Sequence, residues 1–332
     1  MNSATLRDIA ATVGVSERLV AYALSGKGRV GAQTRQRILD EAQRLGYRAN
    51  RAARALVTGR SNLLALCLPP TGTAYCDRIT RLVEENARPS VYDLVVTRMT
   101  SHPETGETII VPPGLGQMDG VLIVEPPRML TDDDLAGHGH SVVMGVWPGA
   151  APLGSDVVRV NLLPAARKAM ELLRERKPSR LAYLGGISTV FEPGETRFSA
   201  YLDGVREMGQ LPILIQPERA PDLIAASDTA LFDYVRRNPR PDALLCSNDE
   251  VATGALRAIR RLGLHAPTDI AVIGCDDIEF ARDLNPPLST IAQPFEKMVA
   301  MAWEFLMQRI DDPRHEPRQV ELDAHLVKRE SA

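Results

Sequence analysis

From Leu63 onward, short apolar runs alternate with longer segments whose apolar residues recur at helical spacing. That alternation restricts the fold more than any other feature of the chain. Candidate strands are LLALCL (63–68), DLVVTR (93–98), GVLIV (120–124) and SVVMGV (141–146). After a helix near 162–175 the series resumes with RLAYLGG, PILIQ, ALLCS and IAVIGC, separated by helices near 196–208, 229–237 and 250–262. Strand–helix–strand units of this kind build parallel sheets covered by helices on both faces. Two series in succession predict an α/β body of two doubly wound lobes with a cleft between them. In open parallel sheets, ligands sit beyond the carboxyl ends of the strands.

Composition limits what such a chain can be. It is 44% hydrophobic and 24% charged, with no apolar run long enough to span a bilayer. The N-terminal stretch MNSATLRDIAATVGVSE has no apolar core, so no secretory signal is expected. Cys67, Cys76, Cys246 and Cys275 are widely spaced, without a CxxC pair. They read as reduced thiols of a cytoplasmic protein, not as a disulfide frame or zinc site. Charge is distributed unevenly. Residues 1–60 hold eleven arginines and lysines against four acids, a net +7, whereas the whole chain is −3 and the remainder therefore −10. A basic head on an acidic body points to a polyanionic partner for the head alone.

The head carries a second pattern, TLRDIAATVGVSERLVAYALSG (5–26). Thr5 with Asp8 forms a capping box for a helix burying Leu6, Ile9 and Ala10. Gly14 supplies a tight turn, and Ser16 caps a second helix with Val20 and Leu24 inside. Ala10-Ala11 provide small residues at the crossing. A third helix follows from about Ala32 to Leu45, with Ile38, Leu39, Ala42 and Leu45 at helical spacing, and Gly46 ends it. Two short helices across a glycine turn describe a helix-turn-helix. In that reading Ser16, Glu17, Arg18, Ala21 and Tyr22 lie where base edges are reached in the major groove. Thr5, Arg29, Thr34, Arg35 and Asn50 are placed for phosphates, which fix position without reading sequence. A small amphipathic bundle with a solvated basic face is the alternative for any one of these helices taken alone.

NRAARAL (50–56) is cationic, alanine-rich and too short to be a stable helix by itself. Together with TLRDIAATVGVS, TRQRILDEAQRLGYRANRAARAL and the two-lobed body, it resembles the lactose/galactose-repressor (LacI/GalR) family of bacterial transcription regulators. The resemblance implies a sequence-specific regulator, in the repressor mode, working as a homodimer on palindromic double-stranded DNA. Its body would be periplasmic-binding-protein-like and would hold a small-molecule effector, a sugar or related metabolite. It implies that 50–57 is a hinge helix formed on DNA, with Ala53, Arg54 and Leu56 in the minor groove and Leu56 as an apolar wedge. It divides the chain into a headpiece (1–48), a hinge helix and linker (49–61) and an effector-binding and dimerisation domain (62–330). The first lobe spans about 62–160 and 294–320, the second about 161–291 and 321–330. No heptad extension follows Arg329, so no tetramer-forming tail is expected.

Polar residues just after strands are the body's site candidates. Asn248-Asp249 follow ALLCS, Asp276-Asp277 follow IAVIGC, and Arg197 follows the YLGGISTVFEPGE loop. An arginine fork and carboxylates suit ligand hydroxyls or an anionic group. Helix capping explains such residues about as well. The resemblance assigns Arg197, Asn248 and Asp276 to the effector cleft, with Gln293 and Phe295 where the chain recrosses. RFSAYLDGV, SNDEVATGAL and IGCDDIEFARDLNPPLSTIAQPF carry that match. Several positions depart from the family. The recognition helix has Leu19-Val20-Ala21 in place of Thr-Val-Ser, and PPTGTAYCDRI offers Tyr75 as the aromatic lining. MGVWPG offers Trp147 where relatives have an acid, and Val160-Asn161 stand for an Asp-Asn pair. Leu223-Ile224 replace an aromatic, and IIVPPGLGQMDG interrupts the second helix.

Enzyme motifs are missing: GLGQMDG has the wrong spacing and order for a dinucleotide loop, and no Walker lysine, HExxH or GxSxG occurs. No catalytic residue, metal or cofactor is therefore expected; His138 and His140 of DDDLAGHGH read as a solvated turn. AMAWEFLMQ (300–308) is expected as a packing or dimer-face helix. A cytoplasmic solute-sensing protein whose head docks a protein partner is the alternative function.

Overall fold

In the computed structural model, residues 4–25, 28–47, 59–70, 72–101, 108–109, 117–126, 135, 140–146, 154–186, 196–218 and 220–332 are described. The chain divides into two compact units, Met1–Ser61 and Asn62–Ala332.

The first unit holds α1 (Leu6–Val13), α2 (Glu17–Ser25) and α3 (Ala32–Arg44). The Thr5–Asp8 capping box is present in both directions, and Gly14 closes α1 in left-handed backbone at φ 76. Ile9, Ala10, Val13, Val20, Ala23, Ile38 and Ala42 form its core, with Leu6, Val15, Leu24 and Leu45 packed around it. Two expected core positions face outward: Ala11 is exposed and Leu39 is 40% exposed. Each lies one residue past a fully buried or nearly buried partner, so the 100° step of the helix carries it off the packed face.

The second unit follows the strand–helix alternation. Its first lobe begins with β1 (Leu63–Leu68), α4 (Ala74–Ala87), β2 (Asp93–Arg98), the short antiparallel pair β3 (Thr100–Ser101) and β4 (Thr108–Ile109), β5 (Gly120–Val124), β6 (His140–Gly145) and β7 (Asp156–Asn161). The second lobe continues with α5 (Leu163–Glu175), β8 (Leu181–Leu184), α6 (Thr196–Glu207), β9 (Ile213–Ile215), α7 (Leu223–Arg237), β10 (Ala243–Cys246), α8 (Asp249–Arg261), β11 (Ala271–Asp276) and β12 (Ser289–Ala292). The chain then returns through α9 (Phe295–Asp311), β13 (Gln319–Asp323) and β14 (His325–Val327).

Two six-stranded sheets result, in the orders β13-β7-β6-β5-β1-β2 and β14-β12-β11-β10-β8-β9. The first is parallel throughout, and in the second only β14 runs antiparallel. Their strands are continuous apolar runs because both faces are covered.

Some boundaries differ from the sequence expectation. β7 was not expected as a strand, because Asp156 and Arg159 interrupt its apolar pattern. Asp156 is tolerated there because Arg309 Nε (2.7 Å) and Arg318 Nε (3.0 Å) both meet its carboxylate. β13 pairs wholly with the first sheet, so the last crossing comes after Asp323, not near residue 321. α7 starts at Leu223 instead of 229, since Asp222 caps it by accepting from the Ala225 N–H. Asn161, singled out only as a departure, ties two crossings together: its amide donates to Asp323 (3.1 Å) and its carbonyl accepts from the Ala324 N–H (3.1 Å). The inner face of AMAWEFLMQ is core, with Ala302, Phe305 and Leu306 buried.

Candidate nucleic-acid interface and ligand cleft

On α2 the helical period separates two chemistries. Val20 and Ala23 turn into the three-helix core, while Ser16, Glu17 and Arg18 are exposed and Ala21 and Tyr22 half-buried. Ser16 Oγ accepts from the Leu19 N–H at 3.3 Å, which starts the helix. Arg18 Nε donates to Tyr22 Oη at 3.0 Å. Arg29 is exposed, and Thr34 and Arg35 sit half-buried in the first turn of α3. The Thr5 hydroxyl is engaged by Asp8 at 2.7 Å, so its first role is to cap α1. Asn50, Ala53, Arg54 and Leu56 lie outside the described residues, as does Trp147.

In the body, the carboxyl ends of the strands bring a cluster of aromatic and polar side chains together. Tyr75 stands in the first turn of α4 and meets Phe295, the first residue of α9, edge to face at 5.3 Å between ring centroids. Both are buried. Burial, and then the Glu125 carboxylate, push the Tyr75 phenol well above its ordinary range. Its Oη makes no hydrogen bond of ordinary geometry among the described residues. Glu125 directly follows β5 in left-handed backbone (φ 41) and accepts from the Val146 N–H at 3.2 Å. Gly145 keeps this corner open: a Cβ there would stand 2.6 Å from Glu125 Cγ and 3.0 Å from Tyr75 Oη.

The second lobe contributes Asp276 at the end of β11, buried and at φ 114. Gln293 Nε2 donates to its Oδ1 at 2.8 Å, while Gln293 Oε1 has no partner among the described residues. Burial raises the Asp276 carboxyl to about 7; the Arg197 guanidinium pulls against that rise and Glu125 adds to it. Arg197, in the first turn of α6, donates to the Ser247 carbonyl at 2.6 Å, which aims its guanidinium at the ends of β10 and β11.

Asn248 does what the capping alternative requires: its Oδ1 accepts from the Val251 N–H at 2.9 Å. Asp249 is not a cap. It is buried, accepts from the Thr290 hydroxyl at 2.6 Å and from the Ile278 N–H at 3.0 Å, and thereby fastens the loop after β11. Asp277 pairs with Arg329 at 2.6 Å.

Sequence reasoning missed Glu125 and Arg78. Glu125 obeys the same rule as Asp276, a polar residue immediately after a strand, and was legible on that ground. Arg78 carries no local signal. From α4 it donates to the Asp277 carbonyl (2.8 Å) and to Glu296 (2.7 Å) and lies over the Phe295 ring at 4.8 Å. Beside it Arg81 meets Glu279 at 2.7 Å, so the two arginines of α4 hold the second lobe's 277–279 loop. They line a cavity of about 240 Å³ with Ala74, Ile278 and Phe280.

Residues 5–50 match the family of bacterial regulatory proteins, lacI family, and residues 170–332 match the periplasmic binding protein-like domain. The head therefore carries a lacI-family match and the body a periplasmic binding protein-like match. The chain's relatives span its whole length. The ribose operon repressor of Haemophilus influenzae is 26% identical, over 99% of this chain and 98% of the relative. The transcriptional repressor PurR of Escherichia fergusonii is 27% identical, over 99% and 96%. Among solved structures, a lac repressor dimer bound to operator and the anti-inducer ONPF shares the fold, with a TM-score of 0.76 at 22% identity and 99% of both chains covered. The chain thus joins a helix-turn-helix head to a two-lobed, periplasmic binding protein-like body, and the relatives named here are transcriptional repressors. Among the described residues no helix is long and apolar enough to cross a membrane.

Proposed function

We infer that this chain is a cytoplasmic transcriptional repressor of the lacI type that binds a palindromic operator in duplex DNA as a homodimer. A small polyhydroxylated ligand such as a sugar, held between the lobes, regulates that binding. The observation that carries the reading is the division of α2. Its apolar residues complete the head's core, while Glu17, Arg18 and Tyr22 are left to an outside surface in a segment of net positive charge. A helix that spends its exposed face on donors and acceptors, inside a basic module, suits base edges flanked by phosphates. A two-fold protein would read a two-fold site.

The cleft supports binding without turnover. Arg197 and Gln293 supply donors, and Asp276, Glu125 and Gln293 Oε1 supply acceptors, against the aromatic floor of Tyr75 and Phe295. That mixture suits hydroxyl groups, each of which both donates and accepts. Cys246 and Cys275 nearby are buried, and burial pushes both thiols up, away from nucleophilic use. A ligand that favours one inter-lobe angle needs a coupling of only about 1–3 kcal/mol to change operator affinity roughly 5–150-fold.

Selection of genomic fragments by purified protein, at several salt concentrations and with a panel of sugars and related metabolites, tests this function. Expected are one enriched palindrome, affinity falling steeply as salt rises, and at least one neutral polyol that changes it. Binding that is indifferent to salt, or no enriched sequence, would end the reading.

A further inference from the structure

The Arg18–Tyr22 pair on α2 is a built unit, which its sequence spacing alone does not require. Arg18 is exposed, yet its Nε is committed to Tyr22 Oη at 3.0 Å, and its guanidinium carbon lies 5.4 Å from the Tyr22 ring centroid. The ring is held in turn from its other neighbour. A Cβ at Gly28 would stand 3.0 Å from Tyr22 Cδ2 and 3.1 Å from Cγ, so Tyr22 packs directly on glycine backbone. That backbone is left-handed, at φ 81, where a side chain would be strained as well as crowded. Gly28 therefore pins Tyr22, and Tyr22 pins Arg18.

The chemistry of the pinned pair is asymmetric. With Nε occupied, the arginine presents its terminal Nη1–Nη2 edge, two parallel donors. The phenol oxygen accepts from Nε and so fixes the direction of that edge. Guanine alone offers two adjacent acceptors, O6 and N7, on its major-groove edge. Glu17, beside the pair, is an acceptor and suits the exposed amino group of a cytosine or adenine. An exposed arginine otherwise surrenders much side-chain freedom on binding. A tether made beforehand removes part of that loss.

Resting on the DNA-reading function inferred above, we propose that Arg18 reads one guanine end-on in each half-site and that Tyr22 is its positioning residue, not an independent reader. The test is fragment selection followed by affinity measurement on the selected operator and its single-base variants, using full-length wild type, Tyr22→Phe, Arg18→Lys and the double variant. Tyr22→Phe keeps the ring on Gly28 and removes only the hydroxyl. Discrimination for guanine over the other bases is expected to fall about tenfold in Tyr22→Phe, at a single base pair. Arg18→Lys should relax that same base pair, and adding Tyr22→Phe to it should change nothing more. Loss of discrimination at two different base pairs, or effects that multiply in the double variant, would make Tyr22 a reader in its own right and overturn the proposal. A Tyr22→Phe protein as discriminating as wild type would overturn it too. If wild type enriches no sequence, the fault lies with the DNA-reading function itself.

Discussion

At position 276 a carboxyl group ends a buried strand; burial outweighs the Arg197 guanidinium, the Gln293 amide and the Cys275 thiol that support its charge, and its pKa rises to about 7. An unfolded aspartate titrates near 4. Between about pH 4 and 7 the folded chain therefore holds a proton that the unfolded chain has lost, and stability falls as pH rises through that window. Three pH units correspond to at most about 4 kcal/mol. Asp276→Asn removes this slope: in ligand-free melts the variant should gain on wild type from pH 5 to about 7 and hold its advantage above. Asp249 is shifted in the same direction, first by burial and then by the Asp276 charge, so the variant also relieves part of the Asp249 shift and the two carboxyls change together. Asp156 is the opposite case. Burial works against its charge, but Arg309 and Arg318 outweigh it and hold the carboxyl below its ordinary range. Asp156→Ala leaves two guanidinium groups facing an empty acceptor, one of them on the buried Arg309, and should cost about 3–5 kcal/mol in urea unfolding of the body.

Between elements, close approach decides more than propensity. β11 lies against the start of α8 only because residue 274 is glycine: a Cβ there would stand 2.1 Å from Asp249 Oδ1. That oxygen holds Thr290 on β12, and its partner oxygen holds the loop carrying Ile278. Gly274→Ala must displace the carboxylate, an overpacking expected to cost about 1–3 kcal/mol. The lowered melting temperature should be confined to the body and accompanied by weaker effector binding, while salt-sensitive DNA binding by the head persists. An unchanged melting temperature would mean that Asp249 moves freely, against its two hydrogen bonds.

For the whole molecule, two arginines of α4 cross between the lobes with unequal burial. Arg78 is 21% exposed and reaches the second lobe through the Asp277 carbonyl, its guanidinium held in place by Glu296 and the Phe295 ring of its own lobe, whereas Arg81 and Glu279 are 47% and 61% exposed. An exposed pair contributes about 0–1 kcal/mol. Arg78→Ala is therefore expected to widen the distribution of inter-lobe angles in effector-free protein, read by small-angle scattering as a larger radius of gyration, and Arg81→Ala to leave it unchanged. Equal effects would contradict that ranking. Residues 50–57 lie outside the described part of the chain, and their role is tested through function: Leu56→Ala should lose operator-specific affinity and retain weak nonspecific binding in gel-shift titrations.

Period and punctuation are local properties, and they were legible in the residues. β1, β2 and β5 occupy the ranges their apolar runs predicted, and the head's helices start and stop at Thr5, Gly14, Ser16 and Gly46. A polar residue after a strand marked Asp276, and the same rule applied to Glu125. What the residues did not disclose depends on partners far along the chain. β7 exists as a buried strand because Arg309 and Arg318, more than 150 positions away, neutralise Asp156. Arg78 became an inter-lobe contact because the fold brought the 277–279 loop, some 200 positions on, beside α4. Local preference acts over one helical turn or one strand. Desolvation, ion pairing and close packing belong to neighbours that only the assembled structure chooses.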